Sequence, residues 1–261
     1  MVKRVPQKSD FDIAQIWDKW NCKVRWAIGI ISLVPIALLV LKFENECVDK
    51  AIGLVLLILA IINIYTKFKF IESFRKAEAT RRNGFLDNVF GTKLADIESS
   101  GYYDTDEIGL GYRKLLANLH ENSIYSNRIA KKMYDKSERT LIAGIIGLAI
   151  ITVTNFVGMQ AGVALVDLFI AAEIIDEYKC LKTFTVETEK VIEECKMIWE
   201  SGKFGKQPNN KILAQTMKAY THYESTLAYA SVILDSDIYN ELNESLEEEW
   251  EEIKKRYNMK G

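Results

Sequence analysis

Apolar residues gather into four long runs along this chain, and charged residues stay largely outside them. Trp26–Leu41 and Ala51–Thr66 carry no charged residue, nor does the longer run Thr140–Val166, and Leu168–Ile175 is apolar apart from Glu173. A helix needs roughly 20 apolar residues to span the hydrocarbon layer, and about 17 at the short end. Val24 and Phe43 lengthen the first run and Phe68 and Phe70 the second, while Arg25, Lys42 and Lys67 are long enough to carry their charges back to water. The third run is too long for one span and too short for two. It divides at Phe156–Gln160, so that the fourth span is Ala161–Asp176. Helices packed on a soluble core normally show a polar stripe every three or four residues, and Ala51–Ile62 shows none. The pattern predicts an all-α integral membrane protein: four transmembrane helices in two hairpins, with a cytoplasmic helical bundle.

The remaining segments also read as helical. Ser9 can cap an amphipathic helix over residues 9–24, with Asp12 as the capping-box acid and Ile13, Ile16, Trp17, Trp20 and Val24 as its apolar stripe. That stripe suits the headgroup level of a membrane, or packing on the chain's own cytoplasmic part. Pro35 should kink the first span. Lys67–Arg82 looks helical and Asn83-Gly84 should break it; residues 99–104 read as a loop, and helical spacing returns from Asp106 to Arg139. After the fourth span, helical spacing continues over Glu177–Ser201, Lys211–Leu234 and from Asp235 to near Tyr257. The expected organisation is an N-terminal amphipathic helix (1–23), a first transmembrane hairpin (24–66), a cytoplasmic helical segment (67–139), a second hairpin (140–176) and C-terminal cytoplasmic helices (177–261).

The distribution of charge adds an orientation. The net charge of −2 says little about partners, and no DNA partner is expected. Six basic residues precede the first span (Lys3, Arg4, Lys8, Lys19, Lys23, Arg25) and 14 lie from Lys67 to Arg139. The loop between spans one and two has only Lys42 and Lys50, offset by Glu44, Glu46 and Asp49. Positive residues stay on the cytoplasmic side. Both termini and the central segment of a multi-pass membrane protein are therefore expected inside, with Cys47 outside.

Candidate chemistry is sparse. The cysteines at 22, 47, 180 and 195 form no CxxC pair, and His120 and His222 sit in no metal-ligand spacing. His120 beside Glu121 reads as a surface pair. Ile108–Arg113 holds two glycines without the rest of a phosphate loop. No catalytic residue, metal or cofactor is expected. Carboxylates in or near the fourth span are more informative, because burying one at the bilayer centre costs roughly 2.5–3.5 kcal/mol. Asp167, Glu173 and Asp176 are the pore-lining candidates if oligomerisation brings them around water; the other reading is interfacial placement at the span's two ends. Small residues on spans three and four, Gly144, Gly147, Ala161, Gly162 and Ala164 among them, suit close helix packing within or between copies. For a cytoplasmic ligand, Arg75, Arg81, Arg82, Tyr102, Tyr103 and Arg113 supply the guanidinium forks and aromatic faces that phosphates and bases require. Topology and anionic lipid are the other uses of such basic residues.

The layout resembles the four-transmembrane pore-forming effectors encoded beside second-messenger oligonucleotide synthases in bacterial anti-phage systems. The resemblance covers the whole architecture, and its most motif-like part is Phe85-Leu86-Asp87-Asn88-Val89-Phe90-Gly91-Thr92, similar to an acidic, aromatic and glycine-containing element after span two in that family. The N-terminal Ile13-Ala14-Gln15-Ile16-Trp17 departs from that family's glutamine- and arginine-rich start. The resemblance implies a non-enzymatic homo-oligomer in the bilayer that breaches the membrane when a cyclic nucleotide reaches its helical part. A membrane-anchored scaffold or signalling adaptor, or a transporter subunit, is the alternative.

Overall fold

The computed structural model describes residues 7–43, 45–97, 103, 105, 107–155, 161–201, 204 and 209–259. All regular structure among them is helical: α1 Gln7–Ser32, α2 Val34–Val40, α3 Glu46–Phe90, α4 Tyr112–Asn155, α5 Ala161–Ser201, α6 Asn210–Ala230 and α7 Ser236–Arg256. The chain forms two compact units. A bundle unit contains Met1–Phe11, Arg75–Asp135 and Cys180–Gly261, and an apolar unit contains Asp12–Phe74 and Lys136–Lys179. Among the described residues, α3 is long and apolar enough to cross a membrane.

In the apolar unit, the inward positions of α1 are Ala14, Asn21, Val24 and Ile28, and those of α3 are Leu56, Asn63, Thr66 and Phe70. These steps of three, four and seven are the signature of a seam between helices wound together. Asn21 donating to Asn63, and Trp17 packing edge-on to Tyr65, fix the pair as antiparallel. The remaining stripe residues, Ile13, Ile16 and Trp20, are about half exposed. Helix α1 already includes Ser9, which therefore does not cap it as the sequence suggests. Pro35 acts as expected. It lacks an N–H and its ring displaces the preceding turn, and the helix breaks at Leu33 between α1 and α2.

The bundle unit is organised around Phe85, Leu115, Leu116, Leu119, Phe184, Ile192 and Trp250, all essentially buried. Here Asn83-Gly84 does not end the helix; α3 continues to Phe90. A mid-helix glycine costs only about 1 kcal/mol relative to alanine, which burial of Phe85 and Val89 outweighs. Termination comes at Gly91, whose φ of +68° is left-handed and whose Cβ, were one present, would lie 2.8 Å from Leu110 Cδ1. The Asp87 carboxylate then caps the following loop, accepting from Leu94 N at 2.7 Å, Ala95 N at 2.8 Å and Thr92 Oγ1 at 2.7 Å. Burial works to raise this carboxyl, but those donors hold it below the usual carboxylate range. Helix α4 consequently starts at Tyr112 rather than near Asp106. Asn209 caps α6 and Asp235 caps α7, the latter matching the restart the sequence marks.

His120 is not a surface residue. It is fully buried, edge-on to Trp250 with ring centroids 5.9 Å apart, and neither ring nitrogen has a hydrogen-bond partner. Burial, helped by Lys196, pushes its pKa down to about 3. The unfolded chain takes up the proton near the ordinary pKa of 6.5 while the folded one does not. Stability is therefore highest above pH 6.5 and falls as the pH drops toward 3, by at most about 1.4 kcal/mol per pH unit from this residue. His120→Leu should flatten that slope. The measurement is peptide-resolved hydrogen exchange of α4 and α7 in the full chain between pH 7 and 4.5; equal slopes in wild type and variant would rule His120 out as the source.

Candidate functional site: a polar cluster among apolar helices

The arrangement within the apolar unit is inverted relative to a soluble bundle. Leu54, Leu57, Ile58, Ile61, Ile64 and Phe68 on α3 are exposed, as are Trp26 and Ile30 on α1, whereas Asn21, Asn63 and Thr66 are buried. Water favours the opposite arrangement. Hydrocarbon surroundings favour this one, since polar groups there must find partners inside the protein.

The partners are specific. Asn21 Nδ2 lies 2.9 Å from Asn63 Oδ1, 3.1 Å from the Asn63 carbonyl oxygen and 3.1 Å from Thr66 Oγ1. The Thr66 hydroxyl donates to the Asn63 carbonyl at 2.9 Å. Asn63 Nδ2 in turn donates to the Glu173 carboxylate of α5, at 3.1 and 3.2 Å from its two oxygens. One helical turn further along α5, Glu177 pairs with Arg25 at 2.7 Å and with Lys67 at 3.7 Å. Asp18 sits within electrostatic reach of Glu177, Arg25 and Lys67. Three helices thus share one polar layer, held by α1 and α3 side chains whose positions follow from the seam.

Of the three carboxylates singled out on the fourth apolar run, Glu173 joins this cluster and Asp176 is exposed. The side chain of Asp167 lies outside the described residues, as does the expected turn at 156–160. Gly144 faces α5, where an added Cβ would lie 3.9 Å from Ile174 Cδ1, in keeping with close packing of these helices. Sequence reading missed Asn21, Asn63 and Thr66. The available signal was the only polar pair closing the second apolar run, Asn63 and Thr66, three residues apart and so on one helix face.

The residues expected to hold a cytoplasmic ligand take separate places. Arg75 is exposed on α3. Arg81 lies between two carboxylates, 2.8 Å from Glu78 and 2.7 Å from Glu224, and Arg82 reaches Glu224 at 3.0 Å. Burial opposes charge on both Glu78 and Arg81 and lifts the Glu78 carboxyl, while Glu78 and Glu224 together hold Arg81 firmly protonated. Tyr103 is buried edge-on to Phe85, which stacks on Tyr220. Arg113 lies over the Phe204 ring and donates to the Asn258 carbonyl at 2.9 Å. Tyr102 lies outside the described residues. His222 is bracketed by Glu187 at 2.9 Å and Glu194 at 3.4 Å. Among the described residues, no group of three His, Cys, Asp or Glu side chains is placed to hold a metal.

Compared with known protein families, curated proteins and solved structures, this chain matches none.

Proposed function

We propose that this protein is a non-enzymatic effector of a bacterial inner membrane, crossing it four times with both termini inside, which oligomerises and permeabilises the bilayer in anti-phage defence. The observation that carries the membrane part is the inverted apolar unit, with leucine and isoleucine outside and asparagine, threonine and glutamate inside. Such a unit is costly in water and suited to lipid. The effector part draws on the resemblance of the whole layout to the second-messenger pore-forming family, with a cyclic nucleotide as trigger of the bundle unit. Co-expression with a neighbouring oligonucleotide synthase should depolarise the inner membrane and arrest growth; strong expression with an unchanged potential would count against permeabilisation. In intact spheroplasts an impermeant thiol reagent should modify Cys47 and spare Cys22. Both are exposed in the fold, unlike buried Cys195, so burial within the protein does not account for a difference between them.

A scaffold or signalling adaptor is the second reading, favoured by one observation. Arg81 and Arg82, two of the residues expected to hold a ligand, are engaged by Glu78 and Glu224. A phosphate would have to displace those carboxylates to bind there.

A further inference from the structure

We infer that copies of this chain join in the membrane through Lys23 of one copy and Asp176 of the next, a contact that repeats around a ring. The inference rests on the reading that the apolar unit lies in a bilayer and oligomerises, and it names the two faces that meet. Contacts within the unit set the level and direction of its helices. Asn21, Asn63 and Glu173 share one layer. Glu173 meets Asn63 and, one turn on, Glu177 meets Lys67, so α5 runs parallel to α3 and antiparallel to α1. Lys23 is two residues from Asn21 and Asp176 three from Glu173, rises of about 3 and 4.5 Å to opposite sides of that layer. Both residues are exposed. Helical side chains lean toward the N-terminus of their own helix, so on antiparallel helices these two lean toward a common level. The Lys23 ammonium does run back along α1, lying over the Trp20 ring at 5.2 Å.

Neither charge is met inside one copy. Among the described residues Lys23 and Asp176 form no ion pair, and Lys179, exposed three residues after Asp176, forms none with it. Lys23 also points away from its own α5. Arg25 is the α1 residue that reaches α5, at Glu177, and two residues along a helix are a rotation of about 200°. Exposed Ile61 and Ile64 flank Asn63 on α3, so hydrocarbon surrounds this level, where a lone charge is costly. A rotation about the bilayer normal preserves depth. It can therefore bring the Lys23 side of one copy onto the Asp176 side of another, whereas a two-fold contact of either side with itself would set like charges together. A heterologous contact of this kind leaves one face open at each end until the ring closes. The same antiparallel register sets Trp26, 65% exposed, opposite exposed Ala172, and a small side chain lets the helix behind the indole approach. Asp176 then belongs to the contact between copies rather than to the wall of a pore.

The test uses the full chain in bacterial membranes, with Cys22, Cys47 and Cys180 replaced by serine and Cys195 left buried. Copies with Lys23→Cys and copies with Asp176→Cys, carrying different tags, are co-expressed and treated with a short bismaleimide, because a lysine's length holds the two Cβ atoms further apart than a disulfide spans. A cross-link joining the two tags is expected, and neither variant alone should give one. Both substitutions in one chain should give a ladder beyond the dimer. Lys23→Glu or Asp176→Lys alone should lower the oligomeric fraction, read by light scattering in detergent, by about tenfold or more. The two reversals together should restore it, which separates a lost contact from a variant that fails to fold. Absence of the mixed cross-link in helical, membrane-inserted protein would overturn the contact, as would dimers from Lys23→Cys alone or a double reversal that restores nothing. A ladder without depolarisation supports the contact and removes permeabilisation. Depolarisation without the mixed cross-link removes the contact and leaves permeabilisation standing.

Discussion

Phe85→Ala is expected to loosen the bundle unit by about 3–5 kcal/mol, the usual cost of deleting a buried aromatic ring. Phe85 is 2% exposed, stacked on Tyr220 with centroids 5.4 Å apart and edge-on to Tyr103 at 5.8 Å. Removing the ring takes from Tyr220 of α6 and from Tyr103, which lies between α3 and α4, the aromatic surface that both pack against. Phe90→Ala is the control within the same motif. Phe90 is 42% exposed, and an exposed substitution of this kind normally stays within about 0.5 kcal/mol. Hydrogen exchange resolved to peptides of α3 and α6 would separate the two. Equal protection in both variants would mean that the core is not organised around Phe85. In the segment that contains both residues, Phe85 and Val89 fill the core, Asp87 caps a loop and Gly91 ends a helix.

Arg81→Met is expected to cost about as much, roughly 3–5 kcal/mol, by a different route. The loss is mostly the penalty on the carboxylates left behind, since Glu78 and Glu224 are each about one-tenth exposed, Glu78 would lose the guanidinium it pairs with and Glu224 would keep only Arg82. Adding Glu224→Gln should return a substantial part of that loss, because the stranded charge is removed with its partner. A ligand-binding arginine behaves otherwise: its removal weakens ligand affinity and leaves the apo protein's stability unchanged. Unfolding of the single and double variants without any nucleotide therefore tells the two roles apart.

The helical class and the four apolar runs were legible because periodicity and length are properties of contiguous residues. The polar cluster was not. Asn21 and Asn63 are 42 positions apart, and nothing local indicates that one register of the seam will set them side by side. The Asn83-Gly84 break failed for a related reason: local propensity was right in sign, but the packing of Phe85 and Val89 on other helices is worth more. His120 was misplaced because its neighbour Glu121 suggested an exposed pair, whereas one residue along a helix is a rotation of about 100° and says nothing about which side faces Trp250. For the expected ligand residues, sequence gave proximity along α3 but not the acid of α6 that occupies Arg81 and Arg82.

The inverted packing of the apolar unit has a consequence for how such a sequence drifts over generations. On a water-soluble bundle, polar surface positions exchange freely and apolar core positions are retained. Here the permissive positions are Leu54, Leu57, Ile58 and Ile61, which ask only for hydrocarbon, while Asn21, Asn63 and Thr66 each satisfy a named atom on a neighbouring side chain or backbone. Related chains would thus differ most among their leucines and isoleucines and agree on a few asparagines and a threonine, so a search weighted toward apolar identity would pass over the very positions that define the lineage.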